Sequence, residues 1–212
     1  MRRTGYVYDD RYLLHDPGSW HPERPDRLKA IQASLKDSGI LELLIHLKPY
    51  PAPLAWVERL HDPDYIRRFQ DTCQGGQQIF EVQDCGISPE SYEIALLAAG
   101  GVMAAADAIM GDKADNAFCA VRPPGHHAER ARALGFCFFN NVALGVVYLL
   151  ENFGLERVAI VDWDVHHGTA PSISSRPTPG SFTCRCTRTR STATPAPVTA
   201  GRRARVRVKA SP

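Results

Sequence analysis

Residues 157–168 read RVAIVDWDVHHG. The stretch opens as a continuous apolar run, of the kind buried on both faces in a parallel sheet, and ends in titratable groups. Asp162, Asp164 and His166 recur at every second position, so along an extended segment they point to one side. Carboxylate and imidazole groups converging from one strand end are ligands suited to zinc. The plain alternative is a buried Asp pair that caps a helix or pairs with a cation. Three titratable groups closing an apolar strand are costly to bury without a compensating ion, which favours the metal reading.

Working back along the chain, a second short apolar run, NAFCAV at 116–121, leads into RPPGHHAERARALGFCFFNN at 122–141. Ligands of open parallel sheets bind beyond the C-terminal ends of strands, and both clusters sit there. Pro123 and Pro124 stiffen the loop, and Gly125 permits close backbone approach. His126 and His127, beside a metal, could take a proton from bound water and deliver it to a leaving amine. On its own the pair reads equally as two structural histidines on a loop.

Around these clusters the pattern is helical. HPERPDRLKAIQASLKDSG (21–39) reads as a turn and a helix with Pro25 near its start, Leu28, Ile31 and Leu35 on one face, and Gly39 as its stop. A second helical region from Leu54 is interrupted at His61-Asp62-Pro63. The clearest helix follows Ser88, expected as N-cap, with Pro89 at the first helical position. NNVALGVVYLLENFG (140–154) is another, ended by Gly154. Helices alternating with short apolar strands predict an α/β domain around a mainly parallel sheet.

Composition is ordinary for a globular chain, at 44% hydrophobic and 23% charged over 212 residues. No apolar run is expected to cross a membrane, and the N-terminus lacks the apolar region of a secretory signal, so the expected location is the cytoplasm. The six cysteines form no CxxC pair, which fits a reducing compartment; Cys119 and Cys137 read as small core residues. The net charge of +2 hides an asymmetry: residues 169–212 hold eight Arg, one Lys and no acid, which leaves 16 basic and 23 acidic groups before them. Such a tail raises the idea of a nucleic-acid-binding arm, but it has no interleaved aromatic residues and no motif, so direct nucleic-acid binding is not expected.

Taken together, HPERPDRL (21–28), LHDPDYI (60–66), AAGG (98–101), RPPGHHA (122–128), GFCFFNNVA (135–143) and VDWDVHHG (161–168) resemble the histone deacetylase family of zinc-dependent deacylases, nearer its class II and bacterial branch. This family includes acetylpolyamine amidohydrolases and acetoin-utilization proteins. The resemblance implies the arginase/deacetylase-like three-layer α/β/α fold, with residues 1–168 its N-terminal portion. It implies Asp164 and His166 as two of three zinc ligands, and His126 and His127 as the tandem pair, His127 the general acid/base. Asp162 would orient His126. Gly135 and Phe136 would line the channel for the acyl-lysine stem, and Asp84 would be a rim carboxylate gripping substrate backbone. Arg27 would lie near the acetate exit or be a surface helix residue. A structural potassium ion is also implied. The implied substrate is acetyl-lysine in a protein or a small acetylated amine.

After Gly168 the family pattern stops: its third ligand Asp and its oxyanion Tyr have no counterpart. Thr, Arg, Ser, Pro and Ala make up 34 of the 44 residues of 169–212, a composition that builds no core. Read with one base lost after the Gly168 codon, Thr169–Ser175 is compatible with Asn-Gly-Thr-Gln-His-Ile-Phe, and stretches further on with the family's next strand and loop. Residues 169–212 are therefore expected to be an out-of-frame, largely irregular tail on a truncated deacetylase of doubtful activity. The competing reading is a non-catalytic deacetylase-like fragment or binding module.

Overall fold

Strand β1 (Thr4–Val7) is the centre of a three-stranded parallel sheet, with β2 (Ile45–Leu47) on one side and β3 (Asn116–Cys119) on the other. The structure, a computed structural model, describes residues 2–162 and 164–166 and the backbone of 181–185. Alternation along β1 sets the layers. Tyr6 stacks on Phe118, its partner in β3, and its hydroxyl donates to Gln32 of helix α1 (Asp26–Asp37). Val7 faces the other way: a Cβ on Gly101 of the long helix α4 (Ser91–Met110) would lie 3.0 Å from it. The sheet is thus sandwiched between α1 and α4, the three-layer α/β/α arrangement.

Short α2 (Leu54–Val57) and α3 (Pro63–Gln74) flank the break expected at residues 61–63: Asp62 caps α3 by accepting from the Asp64 N–H, with Pro63 at the helix start. Phe69 of α3, Tyr92 and Met103 of α4, and Leu144 of α5 (Asn141–Asn152) join Phe138 and Phe139 in the main core. Helix α4 is long and apolar enough to span a bilayer by composition, which the sequence reading did not anticipate; most of its residues are buried in this core. An all-round apolar helix is accounted for by burial within a domain. Its start also departs from expectation. The helix begins at Ser91, not after Ser88; Ser88, Pro89 and Glu90 form a turn closed by Ser91 N–H to Ser88 C=O, and Ser91 Oγ accepts from Ser88 N–H. Gly39 and Gly154 follow α1 and α5 with positive φ, as stop signals.

Strand β4 (Val158–Asp162) does not join the first sheet. It pairs in parallel with β5 (Ser181–Arg185), Val161 opposite Cys184. Residues 181–185 are thus the one extended stretch described within the tail, which was expected to be largely irregular. Phe and Thr favour extended backbone, and the edge of β4 offers unpaired groups to bond. The rest of 169–212 lies outside the described residues. Apolar side chains on β3 and β4 remain partly open, Phe118 at 44% and Val161 at 57% exposure.

His61 pins α3 to the segment before α5. Its Nδ1–H donates to the Glu129 carbonyl, and its Nε2 accepts from the Asn140 N–H. Burial pushes its pKa down to about 4, so the ring is neutral in the fold. The unfolded chain, with an ordinary histidine near 6.5, binds more protons between those values. Stability from this group is complete above about pH 6.5 and is lost as pH falls towards 4, up to about 3 kcal/mol. Denaturant melts between pH 7 and 4 should show this decline, with a shallower slope in His61→Gln.

Candidate active site

The loop that follows β3 is held at its base by a buried ion pair. Arg122 and Glu23 are 2% and 1% exposed. Arg122 Nε and Nη2 donate to the two carboxylate oxygens at 2.9 and 2.8 Å, and Nη1 donates to the carbonyls of Tyr12 and His15. Burial alone would raise the Glu23 pKa; hydrogen bonds from His15 and Arg122 overcome it and bring the carboxyl down to about 2. At the loop's other end, a Cβ on Gly125 would meet the Asn141 nitrogen at 2.5 Å, so glycine is required for this approach. Asn141 Nδ2 also donates to the Pro123 carbonyl. His126 and His127 therefore leave a loop anchored on both sides.

The two clusters converge. His126 Nδ1 lies 3.1 Å from Asp162 Oδ2, across 36 residues of sequence. The His126 and His127 rings are 4.1 Å apart, and His127 faces His166 at 6.3 Å. Asp162 Oδ1 accepts from the Asp164 N–H, and Asp164 Oδ1 accepts from the His166 N–H and lies 2.9 Å from its Nδ1. β3 and β4 lie in separate sheets, so the two clusters meet although the strands that carry them are not neighbours in one sheet.

Electrostatics follow from these contacts. Burial pushes the His127 pKa down, helped by His126 and His166, which keeps this ring a neutral base. Burial would raise Asp162, but the bonds from His126 and the Asp164 N–H hold it below the usual carboxylate range. Asp164 is lowered chiefly by the His166 backbone N–H. Asp164 and His166 are zinc-type donors by chemistry, yet no group of three metal-ligating side chains occurs among the described residues. The set agrees with a zinc site in kind and falls one ligand short in number.

The expected channel residues lie against the pair. A Cβ on Gly135 would come within 2.4 Å of the His127 ring, and both Gly135 and Phe136 have positive φ. A non-glycine residue in that region is strained, a state that concentrates at functional sites. Phe136 meets His21 edge-on at 4.7 Å. His21 Nδ1 accepts from the Glu23 N–H, so Nε2 carries the proton and donates to the Asp84 carbonyl at 3.1 Å. Asp84 is thereby tied to Phe136 through one ring. Arg27 is 59% exposed in its side chain and reaches Glu23 at 3.7 Å; it lines a cavity of about 160 Å³ with Ile31, Phe118 and Pro124. Both alternatives for Arg27 stay open, since it is a surface helix residue and a cavity wall at once. Sequence reasoning missed Glu23, Arg122, His15 and His21 as organisers. The available signal was charge inside otherwise stiff motifs, HPER and RPPG.

With the geometry in view, comparisons identify the family. A profile described as the histone deacetylase domain matches residues 21–191. The chain belongs to the histone deacetylase family. It is 41% identical over 168 residues to a probable deacetylase of Archaeoglobus fulgidus, covering 78% of this chain and 46% of that protein. It is 38% identical to a histone deacetylase-like amidohydrolase of Pseudomonas aeruginosa, over 79% of this chain and 48% of the relative. Among solved structures, the HDA15 HD domain superposes with a TM-score of 0.74 at 35% identity, over 79% of this chain and 48% of that one. The chain thus spans about half the length of these relatives.

Removing one partner of the Arg122–Glu23 pair would strand a buried charge. Arg122→Met is expected to lower the unfolding free energy by about 3–5 kcal/mol in urea melts.

Proposed function

We propose that this chain carries the proton-handling half of a deacetylase site, acting on an N-acetylated amine such as acetyl-lysine or a small acetylated amine. The observation that carries the reading is the tandem His126–His127 pair meeting Asp162 beside Asp164 and His166. In this reading His127 accepts a proton from the attacking water and returns it to the leaving amine. His126, hydrogen-bonded to Asp162, is kept in one orientation beside the reacting centre and acts there electrostatically. Gly135, whose backbone presses against the His127 ring, and Phe136 would line the channel for the substrate stem.

Zinc is the proposed metal, with Asp164 and His166 among its ligands; bound there it would polarise the acetyl carbonyl and activate water. Catalytic zinc sites use three protein ligands, so affinity is expected to be weak. The second reading is a non-catalytic deacetylase-like fragment or binding module, for which the observation is that no group of three metal-ligating side chains occurs among the described residues. For residues 169–212 we propose an out-of-frame origin, which the nucleotide sequence around codon 168 tests directly.

The enzyme reading is tested by zinc stoichiometry together with turnover of an acetyl-lysine peptide. Weak zinc binding and slow hydrolysis that vanishes in His127→Ala are expected. Hydrolysis unaffected by His127→Ala would remove the role given to that ring, and no hydrolysis with zinc in excess would favour the fragment.

A further inference from the structure

Trp20 is the most exposed of the large apolar side chains in the described residues, at 77%. Its position is fixed. Gly18, with φ +107°, turns the chain; its carbonyl accepts from the His21 N–H, and its N–H donates to Asp16 Oδ1. The indole Nε1 would lie 3.6 Å from a Cβ on Gly18, so the ring folds back over its own turn. It also meets the next side chain, His21, at 5.9 Å. His21 meets Phe136, and Phe136 follows Gly135, which abuts His127. The rings form a ledge that runs outward from the tandem histidines and ends in solvent at Trp20. The same His21 holds the exposed Asp84.

We propose that Trp20 is a specificity-determining residue that stacks on a side chain flanking the acetylated lysine of a polypeptide substrate. The proposal rests on the deacetylase reading and chooses between its two substrate classes. An indole offers a large apolar face and one N–H donor, and aromatic residues of this kind dominate recognition when desolvated by a partner. A turn that holds the ring in place removes part of the ordering cost of binding. A small acetylated amine that ends at the channel mouth leaves this ring wet. A peptide with an apolar or aromatic residue beside the acetyl-lysine covers it.

The test uses the full chain with zinc added and a fluorescently labelled hexapeptide carrying acetyl-lysine next to phenylalanine, read by anisotropy within seconds of mixing. N-acetylputrescine is the second probe, read by competition. Trp20→Ala should weaken the peptide about tenfold, which is ~1.4 kcal/mol. It should leave N-acetylputrescine unchanged, and Trp20→Phe should recover most of the loss. Unchanged thermal melting would exclude a folding defect in these variants. Peptide binding that is equal in wild type and Trp20→Ala overturns the assignment while the deacetylase reading stands. Failure of wild type to bind either probe overturns the deacetylase reading and the role of Trp20 with it.

Discussion

Arg122 is buried with every nitrogen of its guanidinium engaged, and two separate stretches of chain meet on it. The carboxylate of Glu23 comes from the turn before α1, and the carbonyls of Tyr12 and His15 come from the segment after β1. Arg122 itself begins the loop that carries the tandem histidines. Taking two charges out of water is expensive, and the attraction between them offsets this only with good geometry and satisfied remaining groups. Both conditions hold: the contact is two-pronged, and no buried side-chain nitrogen or oxygen lacks a partner among the described residues. A planar five-donor fork suits that task, whereas a lysine could not bond in so many directions. The pair contributes more to placement than to net stability, since it fixes where one loop leaves the sheet relative to another.

From that anchor the site is built by contact rather than by depth. His21, two residues before Glu23, passes the placement outward to Asp84 and Phe136. Asn141, at the first turn of α5, fixes the far side of the histidine loop. Gly135 allows its strand of backbone to press against His127, and a larger residue there would displace the ring. These supports use uncharged or internally neutralised groups, which leaves Asp162 and Asp164 as the carboxylates that face the histidines.

Much of this was legible from residue order. The apolar runs at 116–121 and 158–161 marked strands, and Pro and Gly marked helix limits; the extended alternation read across Asp162, Asp164 and His166 ends with β4 at Asp162, after which side-chain-to-backbone bonds turn the chain. The convergence with His126 was legible because both clusters end strands. What was not legible depends on long-range partners. Nothing local to Glu23 announces Arg122, 99 residues away. Sheet membership was equally hidden, because an apolar strand looks the same whichever sheet it enters, and β4 went to a different one from β3. Ser88 has the side chain of a cap, yet the helix began at Ser91 because the turn between them is closed by that serine's own backbone. The strand at Ser181–Arg185 escaped notice because composition averaged over 44 residues conceals a five-residue stretch.

The separation of the two sheets has a consequence for the order in which the protein is made. The first sheet, its covering helices and the histidine loop are all encoded before residue 153. They can begin to pack before β4 has left the ribosome, because structure forms in the order in which the chain emerges. The wall of the pocket that carries Asp162 and Asp164 is thus the last to be made, and the His126–Asp162 contact joins an early-made part of the chain to a late one.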